Sequence, residues 1–132
     1  MRVLLADDHA WIRSALRLLL TEEPGVIIVG EASEATGLLA QMHKTHPDLV
    51  LLDWELPGLA TIGSVPALHT ACANLSVIVL SGRPEARQEA LAAGADDFFS
   101  KVDPPEQLLT AIHAIDSKNS GTDHLTAQST VG

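Results

Sequence analysis

Three carboxylates, one hydroxyl and one ammonium stand just after short apolar runs of this chain. Asp7 and Asp8 follow Val3–Ala6, Asp53 follows Leu49–Leu52, Ser81 follows Val77–Leu80, and Lys101 lies just past Phe98-Phe99. Brought to one place, three carboxylates repel and raise one another's pKa, so they need a cation. An all-oxygen ligand set with room for water suits Mg²⁺ (or Mn²⁺), which takes octahedral geometry and keeps part of its hydration shell. Such a centre beside a lysine and a hydroxyl suits an incoming phosphoryl group. Metal and Lys101 would neutralise its oxygens, and Ser81 would donate a hydrogen bond. One carboxylate could then act as nucleophile and form an acyl phosphate. Asp53 is the natural choice, because it ends a central strand between the acidic pair and Lys101.

That convergence requires particular elements. The runs Val3–Ala6, Val26–Val29, Leu49–Leu52 and Val77–Leu80, with the shorter Phe98-Phe99, are apolar without alternation. Such runs predict strands covered on both faces, as in a parallel sheet. Between them lie stretches of helical period: Ile12, Ala15, Leu16, Leu19 and Leu20; then Ala35, Leu38, Leu39 and Met42, with Ser33 as the expected N-cap; and at the end Leu108, Leu109, Ile112 and Ile115. The last stripe follows Asp103-Pro104-Pro105-Glu106, which reads as a helix start with a capping box. Two helices carry weaker signals. Glu85–Ala93 is Ala-rich with a shallow apolar face and ends at Gly94, a suitable residue just past a helix end. Ser64–Ala73 contains Pro66, which a first turn tolerates.

Five strands alternating with five helices predict an α/β fold: a doubly wound five-stranded parallel sheet of flavodoxin-like order 2-1-3-4-5, with helices on both faces. In such sheets ligands bind beyond the carboxyl ends of the strands, where Asp7, Asp8, Asp53, Ser81 and Lys101 fall. The expected organisation is one domain over 1–117, followed by a Ser/Thr/Gly-rich linker or tail over 118–132.

The chain has 132 residues, enough for one domain with a full core, and 46% of them are apolar. Acids outnumber Lys and Arg by 17 to 8, a formal charge of −9. That field repels phosphate backbones, so these residues alone make a poor nucleic-acid binder. The single Cys72 allows no internal disulfide and fits a reducing compartment. No apolar stretch reaches the roughly 18 residues of a membrane span, and no signal-peptide pattern opens the chain. The expected location is cytoplasmic, without membrane contact.

The segments LLADDHAWIRSALRLLL, PDLVLLDWELPG, VIVLSG and FFSK, in that order, resemble the receiver domain of two-component response regulators. Asp7-Asp8-His9 and the later Gly30-Glu31-Ala32 are similar to its NarL/LuxR-type branch. The resemblance covers residues 2 to about 116. It implies that Asp53 is the phosphoacceptor, Asp8 a direct metal ligand, Asp7 a ligand through water, and Glu55 the residue whose backbone carbonyl completes the metal site. It implies that Ser81 and Lys101 bind the phosphoryl group, and that Phe98 is the aromatic that follows the Ser81 hydroxyl when it swings inward. The implied donor is a phosphohistidine on a sensor histidine kinase. The implied readout surface is the helix at Glu85–Ala93, the fifth strand and the final helix, where family members dimerise on phosphorylation or release an output domain. DNA would be reached only through a domain outside these residues. The resemblance implies no turnover of a separate substrate; the domain promotes only its own phosphorylation and dephosphorylation.

Some positions depart from the family's usual pattern. Phe98 replaces Tyr and lacks a phenolic hydroxyl, Ser81 replaces the commoner Thr, Gly82 the commoner Ala, and Ala60-Thr61 stand where an Asn-Gly-like turn is usual. His9 reads as a helix-start residue, because Mg²⁺ prefers oxygen. Trp54 is expected near the site and partly exposed. Glu55 and Arg83 are expected to pair across its mouth. Two rival readings remain: an atypical receiver acting only as a protein-interaction module, and an enzyme on a similar fold. Against the enzyme, a flavin site wants a Ser/Thr/Gly phosphate loop where Asp7-Asp8-His9-Ala10-Trp11 stands. A haloacid-dehalogenase-like phosphatase wants two acids one residue apart, and here they are adjacent.

Overall fold

The computed structural model describes residues 1–131, with side chains through residue 118. Strands β1 (Arg2–Ala6), β2 (Ile27–Ala32), β3 (Leu49–Asp53), β4 (Ser76–Ser81) and β5 (Asp97–Ser100) form one sheet of order β2-β1-β3-β4-β5. Every neighbouring pair is parallel. The order and direction are those the alternating pattern predicts. β3 and β4 are buried at every position, which is why their sequences read as unbroken apolar runs.

The strand pleat divides the core in two. Val3 and Leu5 of β1 face a cluster with Leu16 and Leu20 of α1 (Ala10–Thr21) and Leu108, Ile112 and Ile115 of the last helix. Leu4 and Ala6 face the opposite cluster. It contains Leu38 and Met42 of α2 (Ala35–Thr45), Leu59 of α3 (Leu59–Ile62), Val65 and Leu68 of α4 (Ser64–Ala71), and Ala90 of α5 (Arg87–Ala92). Each fully buried Leu contributes about 2 kcal/mol of transfer free energy, so the two clusters rest mainly on Leu, Val and Ile, with one buried aromatic in each, Phe98 and Phe99.

The local starts and breaks depart from expectation in informative ways. The third helical segment is two pieces. Gly63, at φ 103°, separates α3 from α4, and Ser64, the first residue of α4, is left-handed as well at φ 60°. Glycine tolerates that conformation at no steric cost, and Pro66 then fits the first turn of α4. The N-cap of α2 is Glu34, not Ser33. Glu34 is extended, and its Oε1 accepts the Gly37 N–H at 2.7 Å, so a longer side chain does the capping from one residue further along. The fourth helical segment opens with a single 3-10 turn at Pro84–Ala86 before α5, and Gly94 closes it at φ 107°. The last helix, α6, starts at Pro105. That puts Pro104 rather than Asp103 at the cap position, and the Gln107 N–H bonds to the Pro104 carbonyl at 3.0 Å. A proline at the first helical position has no N–H to leave orphaned. The backbone of α6 continues to Val131. The tail expected over 118–132 lies, Lys118 apart, outside the described side chains.

Candidate functional site

The carboxyl ends of β1, β3, β4 and β5 form one rim. Each is pinned to its neighbour by a backbone bond just past the last paired residue. Asp7 N–H donates to Ala32 O at 3.0 Å, Trp54 N–H to Leu80 O at 2.8 Å, and Lys101 N–H to Ser81 O at 2.8 Å. These bonds carry the sheet register into the loops, so side chains far apart in sequence reach the same point.

The expected acids converge there. Asp7 and Asp53 are 2% and 3% exposed, while Asp8 is exposed. Asp7, Asp8, His9 and Asp53 each offer a ligand atom within 4.8 Å of the others. Lys101 Nζ lies 2.9 Å from Asp7 Oδ2 and 3.4 Å from Asp53 Oδ1. The Asp53 carboxyl is held above the usual aspartate range. Burial is the main cause and the nearby Asp7 charge adds to it, against the Glu55 N–H bond and the Lys101 charge. Burial opposes the charge on Lys101, yet the Asp7 hydrogen bond and the Asp53 and Asp7 charges outweigh it and raise the ammonium above the usual lysine range. One ammonium thus compensates two buried carboxylates only in part. That imbalance, and the hard oxygen donors beside it, fit a small divalent cation.

His9 is the N-cap of α1, as expected of a helix-start residue, although its side chain caps no N–H. Its own N–H donates to Asp7 Oδ1 at 2.9 Å, and its Nδ1 lies 3.1 Å from both Asp7 Oδ1 and Asp8 Oδ1. Ser81 ends β4 fully buried, and Phe98 lies on β5 opposite Val79. The Phe98 ring is 6% exposed, with the Arg87 guanidinium 5.9 Å from its centroid. Trp54 is partly exposed beside Asp53. Glu55 and Arg83 do pair, with Arg83 Nε 3.4 Å from Glu55 Oε1.

Two partnerships were not legible in the sequence. The Glu55 N–H donates to Asp53 Oδ1 at 3.1 Å, and its side chain also accepts the Ser81 hydroxyl at 2.9 Å. The second is a brace from the sheet edge. Arg13 donates to the Asp7 carbonyl at 2.6 Å and to Glu31 Oε1 at 2.9 Å, and Arg17 holds the other Glu31 oxygen. The Arg17 hydrogen bond, with help from Arg13, keeps Glu31 below the usual glutamate range despite some burial. The signal was faint: two arginines four apart on α1, and an acid near the end of β2.

Comparison with known proteins converges on one family. Residues 3–113 match the response regulator receiver domain. The nitrate/nitrite response regulator protein NarL of Escherichia coli (strain K12) is 33% identical over 113 residues, covering 84% of this chain and 52% of NarL. The response regulator UvrY of the same strain is 29% identical, covering 87% of this chain and 54% of UvrY. The chain therefore spans about half the length of the curated relatives it matches. Among solved structures, a two-component response regulator of the LuxR family from Aurantimonas sp. SI85-9A1 superposes with a TM-score of 0.76 at 30% identity, over 86% of this chain and 83% of that one. The response regulator domain of Thermotoga maritima CheB gives 0.74 at 28% identity, over 88% and 96%. With its sheet order, its acidic rim and these likenesses, the chain belongs to the response regulator receiver domains, the signalling domains of two-component systems, on their NarL/LuxR-type branch.

Proposed function

We propose that this receiver domain accepts a phosphoryl group onto Asp53, with a divalent cation held by Asp8 and Asp53 directly, by Asp7 through water and by the Glu55 carbonyl. The observation that carries the reading is the buried Asp53 carboxylate at the end of β3 with an ammonium at 3.4 Å and two further acids around it. Mg²⁺, or Mn²⁺, would supply charge neutralisation for the phosphoryl oxygens. Asp53 Oδ attacks phosphorus, the bond from phosphorus to the donor's leaving atom breaks, and the leaving group departs with its electron pair. When the donor is the phosphohistidine of a sensor histidine kinase, the broken bond is P–N and imidazole leaves. Lys101 then pairs with an equatorial oxygen, and Ser81 turns its hydroxyl toward another. The modification adds about −1.5 to −2 charges to a buried pocket. Ser81, Lys101 and the loops they anchor reorganise around it.

The readout surface is α5, β5 and α6, with Phe98 as the aromatic that moves with Ser81. α5 is short and offers one buried residue, Ala90, to the core, so few contacts resist its displacement. A dimer formed on phosphorylation, and DNA bound through an attached output domain, belong to the same proposal. So does a cytoplasmic location. It accords with the single Cys72, and among the described residues no helix is long and apolar enough to cross a membrane.

The reading is tested by incubation with a small phosphodonor and Mg²⁺, followed by mass spectrometry of the peptides. One hydroxylamine-labile phosphoryl group is expected on the peptide containing Asp53, and none when EDTA is present. Labelling elsewhere, or labelling indifferent to EDTA, would overturn it. A smaller effect is expected at the mouth. The Arg83 guanidinium over Glu55 obstructs water approaching the acyl phosphate, so Arg83→Ala is expected to shorten its lifetime by roughly twofold to threefold, given how little exposed pairs hold. Loss of label with time after the donor is removed measures this.

A further inference from the structure

The geometry points to Glu55 as a positioning residue that latches the Ser81 hydroxyl away from the phosphoryl site, so that the switch turns only when the group on Asp53 outcompetes it. This rests on Asp53 being the phosphoacceptor. Ser81 is fully buried, and its hydroxyl is fully engaged. It donates to Glu55 Oε1 at 2.9 Å, with Oε2 at 3.4 Å, and accepts the Arg83 N–H at 3.0 Å. Neither bond goes to Asp53 or Lys101. A serine hydroxyl has a single proton. Given to Glu55, that proton is not available to a phosphoryl oxygen, and turning Ser81 inward first breaks a bond to an ionised acceptor, which is stronger than a neutral one.

Glu55 is held in this pose from two sides. Its N–H is tied to Asp53 Oδ1 at 3.1 Å, and its carboxylate meets Arg83 Nε at 3.4 Å. The backbone bond links the latch to the acceptor it controls. A phosphoryl group on Asp53 is a second anion, two residues away, competing for the same proton. Its charge also repels the Glu55 carboxylate outward. Glu55 therefore sets how much of the phosphorylation free energy is used in releasing Ser81. Because half of the Glu55 side chain is in solvent, substituting it leaves the core undisturbed.

Binding of beryllofluoride, a phosphoryl mimic, with Mg²⁺ measures the latch, followed by Trp54 fluorescence or calorimetry. Glu55→Asp keeps the charge but withdraws the carboxylate from Ser81, and is expected to tighten binding by about fivefold to tenfold, the scale of a hydrogen bond to a carboxylate that is half in solvent. Glu55→Gln is expected to tighten it at least as much. In a Ser81→Ala background the Glu55→Asp gain is expected to vanish and the Glu55→Gln gain to fall to the part that comes from removing a charge, the non-additivity of residues that act through one another. Equal affinity for Glu55→Asp and the parent, or the same gain in both backgrounds, would overturn the latch and leave Asp53 as acceptor. A parent protein that binds no beryllofluoride at all would instead overturn the acceptor reading, and the latch with it.

Discussion

Replacing Asp53 with Asn is expected to make the metal-free protein more stable while abolishing its phosphorylation. The carboxylate sits almost fully buried at the end of a central strand, beside Asp7, with one ammonium shared between the two. Its pKa is raised, chiefly by burial and then by Asp7. A raised carboxyl pKa means the folded state binds the proton more tightly than the unfolded chain does. The associated stability is complete below the ordinary aspartate pKa and is lost as pH rises through the folded value. At neutral pH the ionised group therefore costs stability. Asn keeps the shape and an acceptor for the Glu55 N–H but carries no charge. An increase of about 1 to 2 kcal/mol is expected, or roughly 4 to 8 °C in Tm for a chain of this size.

The same exchange should remove most of the response to metal. Excess Mg²⁺ at free concentration c is expected to stabilise the parent by RT ln(1 + c/Kd), about 1.4 to 2.7 kcal/mol at ten to one hundred times Kd. Asp53→Asn should show little of this and a phosphoryl label at least about a hundredfold lower, because no nucleophile remains. Thermal melts with EDTA and with Mg²⁺, at several pH values, measure both. A metal-free Asn variant less stable than the parent at neutral pH would contradict the strained-carboxylate account. In the expected case its stability loses part of the pH slope that the parent shows between acid and neutral.

The sequence carried the sheet and the acidic rim because both rest on short-range rules. Unbroken apolar runs such as Leu49–Leu52 and Val77–Leu80 announce strands buried on two faces, and the parallel order that follows brings their carboxyl ends together. Asp7, Asp8, Asp53 and Lys101 needed only that order to meet. The errors fall where one residue of phase or one rotamer decides. Ser33 and Glu34 are both able to cap α2, and only the extended backbone at Glu34 selects between them. The split between α3 and α4 turns on left-handed Gly63, with a left-handed serine opening α4 after it, which composition does not advertise. Glu55 was legible as the partner of Arg83 but not of Ser81. Pairing two exposed long side chains follows from loop proximity, whereas the direction of a serine hydroxyl depends on χ1 and on the rotation of the O–H bond. Phe98 was named as the switch aromatic only through the family resemblance, and its seat beside Arg87 depends on the turn of α5.

Lys101→Met is expected to be the most destabilising single change at the rim, and its rescue by metal or acid distinguishes electrostatics from packing. Met retains an apolar stem in the partly buried channel the lysine occupies but removes the ammonium that lies 2.9 Å from Asp7 and 3.4 Å from Asp53. Removing one partner of a buried ion pair leaves uncompensated charge, here two carboxylates facing each other, at a cost of about 2 to 4 kcal/mol. In the parent, the raised Lys101 pKa stabilises the fold at all pH values below the ordinary lysine range, and that contribution is lost as pH rises through the folded value. In the variant, this high-pH loss is absent. A new dependence should replace it: stability climbs as pH falls, because the Asp53 carboxyl, already held high by burial and by the Asp7 charge, takes up a proton and the repulsion is relieved. Mg²⁺ should recover most of the deficit at neutral pH by substituting its own charge. Labelling by a small phosphodonor should slow by tenfold or more, roughly the loss of one charged partner to the transferring oxygens. Urea unfolding with and without Mg²⁺, at neutral and mildly acid pH, reads all of this. A deficit indifferent to both Mg²⁺ and acid would mean that Lys101 acts by filling space, and that the two carboxylates it touches are not the source of the strain.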